Sequence, residues 1–466
     1  MRKQVLILIT LLLTTIIVSC GNDKKTQGSE VQYTESQNEE SVGNVQESES
    51  DILEENDSEA LEIYYVSDDI NSAKLVSAYR EEHPEVKLNL VSFSDVEKMD
   101  QQIAAVVNSG QGPDVILFPS NTSLDAAKMG RGNAFMDMTE LLEGDSGYDA
   151  ANYYPVIDAG KVGGKQVYMP LRMQVQYLLT TEEKMSDGFI VSEGYDASEL
   201  FKAVEAAAES CAEDMCTIHI MSKQSITGIL YDNIRLMGID IVDLETDEYV
   251  IEDGTFRDLA EFSKLTYQEV MKSVSLMQKY SRDFIGGFNR LKAYWFTDSL
   301  PYNMRYYESI MRSGVGEKIK ILAYPNLDDS ETITADIVLY AGILSNTDNV
   351  EDAYSFIRYA MDMPMAGQNY DLSVNKEVVQ SLLNEMTFGV GGSVNIGSYR
   401  VIIHKLSPES IAECEGILDK ISAGSIRNGG IEAIMKETME PYILGEADFD
   451  SCYTKFKNQV EIYLYE

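Results

Sequence analysis

Histidine, cysteine and tryptophan are scarce in this chain of 466 residues, which has three His, five Cys and one Trp. Three scattered histidines leave little material for a His-based catalytic triad or a His-rich metal site. The sequence also has no Gly-rich phosphate loop and no nucleophile elbow. We therefore predict a protein without enzymatic activity, bound metal or cofactor.

Positive charge is also in short supply. The chain has 37 Lys and Arg against 77 Asp and Glu, and its formal net charge is -40. Nucleic-acid binding needs clustered basic side chains against phosphate, so the composition excludes that class of partner. We interpret the acidity as a source of solubility rather than as a surface for cationic ligands.

The cysteines do not define a metal site. Cys211 and Cys216 have four residues between them, and no second pair of Cys or His at zinc-site spacing accompanies them. With Cys414 and Cys452 they make four cysteines beyond Cys20, and four cysteines allow three disulfide pairings that the sequence does not distinguish.

The first residues have the pattern of an export signal. Arg2 and Lys3 precede an apolar run from Val5 to Val18, which is shorter than the roughly 20 residues of a membrane span. The run and the Ser-Cys-Gly that follows it resemble the signal of a bacterial lipoprotein. That resemblance implies a signal peptide over residues 1–19 and a diacylglycerol on Cys20. An ordinary signal peptide or a short anchor helix is the alternative.

Residues 20–60 are rich in Ser, Glu, Gln and Asn and nearly lack large apolar side chains. Such a segment cannot bury enough surface to offset the entropy of ordering it. Lysines come first and acidic residues follow, which suits a stalk on an anionic membrane surface. We predict a disordered acidic tether that holds the protein on the outer face of the bacterial cell membrane.

The chain beyond the tether, about 400 residues, is long enough for two domains. Residues 61–66 have strand composition, a helical pattern follows to His83-Pro84, and residues 86–93 alternate as a second strand. Asp95 is a predicted cap for the next helix, and Gly112-Pro113-Asp114 leads into a short apolar strand. This alternation of strand and helix predicts an α/β domain.

Several segments, taken in order, resemble the extracellular solute-binding lipoproteins of ABC importers, in particular the sugar-binding proteins related to maltose-binding protein. They are YREEHPEVKL at 79–88, SGQGPDVILF at 109–118, GKQVYMP at 164–170, FNRLKAYW at 288–295, and residues 337–353.

The resemblance implies a periplasmic-binding-protein-like clamshell of two α/β lobes. Residues 61–172 and 299–344 would form lobe 1, and residues 173–298 and 345–466 would form lobe 2. A small-molecule solute, predicted to be a sugar or oligosaccharide, would bind in the cleft and be delivered to ABC permease subunits.

The same resemblance implies ligand contacts after two strands of lobe 1. Ser67 and Asp68 follow the first strand, and Phe118, Ser120 and Asn121 lie at the end of the third. The alternative for Asp68 is that it caps the next helix.

Four further candidates lie at the predicted hinge. Gln174 follows Pro170 and is a candidate hydrogen-bond partner for a hydroxyl, while Arg172 contacts the ligand or pairs with an acid. Trp295, as a stacking platform or a core residue, and Asp298 come from a later crossing segment.

Alternative functions remain open at this point. Arg172 would suit an anionic solute, and a peptide is another possible ligand. A surface glycoside hydrolase would need two cleft carboxylates at a catalytic separation. A surface adhesin would use the same fold without transport.

Overall fold

The structure is a computed structural model that describes residues 60–465. Within that range it leaves out residues 110–111, 184–194, 211–217, 220–227, 244–245, 247, 280–292, 295, 300–304, 306–307, 310, 313–315, 317, 328–330, 365–370, 388–391 and 397–398. Residues 60–466 form a compact unit of their own. All the described core side chains belong to this unit, so we expect it to fold by itself.

The regular elements follow the α/β alternation predicted for the first part of the chain. The strands are β1 (Leu61–Val66), β2 (Leu88–Phe93), β3 (Val115–Pro119), β4 (Lys161–Val162), β5 (Lys165–Gln166), β6 (Tyr168–Gln174), β7 (Gln176–Thr181), β8 (Ile218–His219), β9 (Val242–Asp243), β10 (Glu248–Tyr249), β11 (Ala293–Tyr294), β12 (Phe296–Ser299), β13 (Ile319–Ala323), β14 (Ile333–Ile343), β15 (Leu372–Ser373), β16 (Ser393–Ile396), β17 (Tyr399–Ile402) and β18 (Ile421–Ser425). The helices are α1 (Ile70–Glu82), α2 (Val96–Ser109), α3 (Ala126–Arg131), α4 (Thr139–Gly144), α5 (Ala197–Ser210), α6 (Ile229–Leu236), α7 (Asp253–Lys279), α8 (Val350–Asp362), α9 (Lys376–Thr387), α10 (Pro408–Leu418), α11 (Gly429–Ile443) and α12 (Phe449–Tyr465).

Local chemistry explains where the first helices begin and end. Asp69 caps α1 by accepting a hydrogen bond from the Ser72 amide at 2.8 Å, and the helix ends at Glu82, with His83 as its C-terminal cap just before Pro84. Asp95 accepts from the Lys98 amide at 2.9 Å ahead of α2, which confirms its predicted role as a cap.

A seven-stranded sheet organises the first part of the molecule. Its order is β15-β6-β14-β3-β1-β2, with β18 also paired to β14. β1 is parallel to β2 and β3, whereas β14 is antiparallel to both β3 and β6. β6 therefore runs in the same direction as β1 and β3. The five residues of β3 are buried, as expected for a strand in the middle of a sheet.

A smaller sheet continues from the first. β7 follows β6 after one residue and pairs with β12 and β13 in an antiparallel three-stranded sheet of order β12-β7-β13. Leu178 of β7 packs in one hydrophobic core, and its neighbours Tyr177 and Leu179 pack in another. The three-stranded sheet thus lies between two cores.

The first core surrounds the seven-stranded sheet, and the second lies among helices. Side chains from α5, α6, α7, α11 and α12 fill the second core, including Phe256, Met439 and Phe456. The two cores agree with the expectation of two domains in this part of the chain.

The later part of the chain divides differently from the expected lobe boundaries. Phe356 and Ile357 of α8 are fully buried in the first core, and the ring of Phe356 meets that of Tyr79 in α1 at 5.0 Å. β18 pairs with β14 of the first sheet, so within residues 345–466 only α11 and α12 contribute to the second core. All of residues 345–466 were expected in lobe 2. The difference arises because α8 buries its apolar face on the first sheet.

Cys414 lies in the first core and Cys452 in the second, so these two do not form a disulfide with each other. Cys20, Cys211 and Cys216, like the signal and the tether, lie outside the described residues. Among the helices that the structure describes, none is both long and apolar enough to span a bilayer. No group of three or more acidic, His or Cys side chains in the described ranges is arranged to hold a metal ion.

Candidate functional site

The ends of three strands meet at one edge of the large sheet. Because β1, β3 and β6 run in the same direction, their carboxyl ends lie at this edge, next to the start of the antiparallel β14. The chain leaves the sheet here through β6 toward β7 and returns from β13 into β14. The carboxyl edge therefore faces the three-stranded sheet, and in open α/β sheets this is the edge where ligands bind.

Ser67 and Asp68 lie at this edge directly after β1, and both are exposed. The Ser67 hydroxyl donates a hydrogen bond to the Phe93 carbonyl oxygen at 3.1 Å, which ties the ends of β1 and β2 together. The helix cap is Asp69, not Asp68. Asp68 is thus available at the edge, without the capping role that was its alternative.

Ser120 and Asn121 begin the loop between β3 and α3, which we call the β3 loop (residues 120–125). Ser120 is half-buried and Asn121 exposed. Asp100 of α2 fixes the loop, because its carboxylate accepts from the Thr122 hydroxyl and from the amide and hydroxyl of Ser123, each at 2.7 Å. The sequence had given no reason to single out Asp100.

Phe118 lies in the core rather than in a cleft. Its ring is fully buried, stacks on that of Tyr340 at 5.0 Å and contacts Phe135 and Tyr168 edge to face. β3 is covered on both faces, so an aromatic side chain at this position is drawn inward. This placement does not suit the ligand contact predicted for Phe118.

Arg172 is also buried, with 1% of its surface exposed. Its guanidinium donates to the carbonyl oxygens of Leu171 at 2.7 Å, Ala360 at 2.9 Å and Met363 at 3.2 Å. Burial lowers the pKa of Arg172 to about 10, while the charge of Asp371 acts in the opposite direction. Arg172 therefore holds the end of α8 against β6 through main-chain contacts inside the first core.

Gln174, two residues further along β6, reaches the carboxyl edge. Its amide nitrogen donates to the Asp371 carboxylate at 2.5 Å, and the Asn71 amide nitrogen donates to the same carboxylate at 2.7 Å. The side-chain oxygen of Asn71 is buried and accepts no hydrogen bond from the described residues. The sequence identified Gln174 but missed Asn71 and Asp371, which no motif distinguishes from the many other polar residues.

The structure does not test the ligand roles of the two candidates from the later crossing segment, Trp295 and Asp298. Trp295 lies outside the described residues. Asp298 belongs to β12, where its backbone pairs with Tyr177 of β7, but its side chain is not described. Their ligand roles stay predictions.

A cavity of about 540 Å³ lies between the two cores. None of the predicted ligand residues lines it. Its walls come from α3, from α6 and the turn after it, and from β14 and the β18–α11 connection, with polar side chains from Asp158, Lys161, Tyr231, Arg235, Asp240, Asn326, Thr334, Ser425, Arg427 and Asn428. We call this space the hinge cavity, since two chain crossings border it.

Five charged residues beside this cavity form a group that we call the hinge ion cluster: Asp232, Arg235 and Asp336, which are buried, and Arg427 and Glu432, which are partly exposed. Arg235 of α6 donates to both oxygens of Asp336 in β14, at 2.6 and 2.8 Å, and to Asp232 at 3.1 Å. Arg427 contacts Asp232 at 2.7 Å and Glu432 at 2.9 Å. Each charge has an opposite partner, so the cluster joins elements of both cores without leaving a free charge for a ligand.

No family model and no curated protein matches this sequence. Solved structures nevertheless match the fold. The sugar-binding protein MalE from Xanthomonas citri is 12% identical with a TM-score of 0.59, covering 87% of this chain and 97% of its own. A periplasmic oligogalacturonide-binding protein from Yersinia enterocolitica is 13% identical with a TM-score of 0.59, covering 87% and 99%.

A third match is the ABC substrate-binding protein Lmo0181 from Listeria monocytogenes in complex with cycloalternan, 13% identical with a TM-score of 0.51, covering 87% of this chain and 97% of that one. At such identities the matches establish the fold alone. They confirm the prediction of a two-lobed α/β fold like that of periplasmic binding proteins. Below, the first lobe is the part around the first core, and the second lobe is the part around the second core.

Proposed function

We propose that this protein is the solute receptor of an ABC importer, that it binds a sugar or oligosaccharide between its lobes, and that it delivers the solute to a membrane permease. One observation carries the proposal. The ends of β1, β3 and β6 bring Ser67, Asp68, Ser120, Asn121 and Gln174 to the same edge of the seven-stranded sheet, facing the second part of the molecule.

The chemistry of this edge suits a neutral polyol. Hydroxyl and amide groups donate and accept hydrogen bonds, and a carboxylate accepts them, so together they match the donors and acceptors of sugar hydroxyls. Arg172, which would have attracted an anionic solute, is committed to three main-chain carbonyl groups inside the first lobe. The anionic alternative thereby loses the residue on which it depended.

The location follows from the first residues and from the fold. We propose that the signal at residues 1–19 is removed, that Cys20 carries the lipid, and that residues 20–60 tether the receptor outside the cell membrane. A tether of about 40 residues reaches roughly 35 Å, which keeps the receptor near a permease. The solute-binding proteins to which the fold is similar are described as sugar-binding, periplasmic or substrate-binding, which is consistent with this role.

A thermal-shift screen of residues 60–466 against sugars, oligosaccharides, peptides and organic anions tests the proposal. A solute that binds only the folded state adds to the free energy of unfolding, by about 2.7 kcal/mol at one hundred times its Kd, and so raises the melting temperature. We expect stabilisation by a carbohydrate that chromatography recovers intact. Stabilisation by peptides or anions alone would contradict the choice of carbohydrate, and hydrolysis of the sugar would favour the glycoside hydrolase.

A further inference from the structure

The β3 loop touches both parts of the proposed receptor. Its first residues, Ser120 and Asn121, are among the proposed ligand contacts, and its middle is fixed to α2 by Asp100. Ser123, in this middle part, also packs against the second lobe at Gly429, the first residue of α11. A single short loop therefore connects the solute edge with the surface of the opposite lobe.

Gly429 makes this contact possible because it lacks a side chain. A Cβ atom at Gly429 would lie 2.5 Å from the Ser123 carbonyl oxygen and 2.7 Å from its carbonyl carbon. Backbone atoms cannot move aside as the end of a flexible side chain can. The two lobes thus approach backbone to backbone at this point, and only glycine permits it.

Tyr463 of α12 makes further contacts between the lobes next to Gly429. Its hydroxyl donates to the Asp125 carboxylate at the end of the β3 loop. Lys128 of α3 donates to the Tyr463 carbonyl oxygen at 2.6 Å, and its ammonium group lies 3.8 Å from the centre of the Tyr463 ring. Burial and the bond to Asp125 raise the pKa of Tyr463, so the phenol keeps the proton that it donates.

Tyr463 is anchored within its own lobe. Its ring belongs to the second core, and its hydroxyl also accepts a hydrogen bond from the Asn428 amide nitrogen at 2.9 Å. Asp125 and Lys128, by contrast, flank Ala126, which is buried in the first core. The contacts of Tyr463 with Asp125 and Lys128 therefore join residues that are fixed to different lobes.

We propose that these five residues, Ser123, Asp125, Lys128, Gly429 and Tyr463, form a closing clasp between the lobes on which solute affinity depends. The inference rests on the proposed function, since it assigns the clasp to a solute-binding cleft. Solute held by Ser120 and Asn121 and the clasp formed by Ser123 and Asp125 act on the same loop, so each favours the closed form in which the other is made. A contact present only in the closed form raises affinity by favouring the state that binds solute.

Two variants test the clasp in residues 60–466. Gly429→Ala places a methyl group against the Ser123 carbonyl, and Tyr463→Phe removes the hydroxyl that meets Asp125. Gly416→Ala, within α10, is the matched control, because a Cβ there would meet nothing within 4 Å. Calorimetric titration with the carbohydrate found by thermal shift gives the affinity. Small-angle scattering without solute gives the radius of gyration.

We expect the affinity to fall at least tenfold in Gly429→Ala and about three- to tenfold in Tyr463→Phe, with a larger radius of gyration in both. The control should bind within twofold of the original chain. Unchanged affinity or unchanged scattering in Tyr463→Phe would overturn the clasp while the proposed function stands, even if Gly429→Ala fails to fold. If no sugar binds the original chain, the proposed function fails, and scattering of the two variants alone decides whether the contact holds the lobes together.

Discussion

The carboxyl edge of the first sheet and the hinge ion cluster are both polar and both lie where the two cores meet, yet their side chains are used differently. In the hinge ion cluster each buried charge faces an opposite charge within 3.1 Å. At the carboxyl edge Asp68 and Asn121 are exposed, and the side-chain oxygen of Asn71 accepts nothing from the described residues. The difference indicates that the cluster holds the hinge, whereas the edge keeps hydrogen-bonding capacity for a solute.

Breaking the hinge ion cluster should give the largest effect. Asp336→Asn removes the charge that accepts two hydrogen bonds from the buried Arg235 guanidinium. We expect the free energy of unfolding to fall by about 3–5 kcal/mol, since a buried charge loses its partner. Chemical denaturation measures it. Lys318→Ala breaks an exposed ion pair with Glu182 and serves as the control, for which we expect no measurable change. Equal stability of the two variants would contradict a structural role for the cluster.

Arg172 and Gln174 allow the sharpest comparison, because they are two residues apart on one strand. Arg172→Met removes the donor to three carbonyl oxygens, two of them at the end of α8. We expect a loss of about 1–3 kcal/mol in the free energy of unfolding. The affinity for solute should stay within twofold. A tenfold loss of affinity in the folded variant would show that Arg172 contributes to solute binding after all.

Gln174→Met should have the opposite signature. The variant loses an amide that we place against the solute, so we expect roughly a tenfold loss of affinity, which corresponds to about 1.4 kcal/mol. The melting temperature without solute should change less than in Arg172→Met. Calorimetry and thermal unfolding of the two methionine variants, side by side, separate binding from stability. If Gln174→Met binds as tightly as the original chain, the edge is not the site.

Asp68→Ala should give the smallest effect. Asp68 is exposed and Asp69, not Asp68, caps α1, so the free energy of unfolding should not change measurably. Loss of one solvent-exposed hydrogen bond to a hydroxyl predicts a fall in affinity of about threefold. Asp69→Ala is the informative neighbour, since loss of a helix cap costs about 1 kcal/mol of stability. A stability loss in Asp68→Ala would show that the two carboxylates share the capping role.

The sequence predicted the fold better than it predicted the site. Strands and helices from Leu61 to Pro119 came from local patterns of apolar residues, turns and caps, and the structure matches them closely. Phe118 and Arg172 illustrate why site residues are harder. Their positions at the ends of strands are local facts, but burial depends on what packs above them, in this case Tyr340 and the end of α8.

Hydrogen-bond partners that are distant in the sequence could not be predicted for the same reason. Asp100 and Asp371 act on residues 22 and 197 positions away. In a chain with 77 acidic residues, no local feature sets these two apart. The lobe boundaries also depended on such contacts, because α8 has an ordinary amphipathic pattern that does not say which sheet it covers.

A crystal structure of residues 60–466 with the bound carbohydrate tests the central claim most directly. We expect the sugar at the carboxyl edge, with its hydroxyls within hydrogen-bond distance of Gln174 and of the β3 loop. A sugar found instead in the hinge cavity, against Tyr231 and Arg427, would contradict the account.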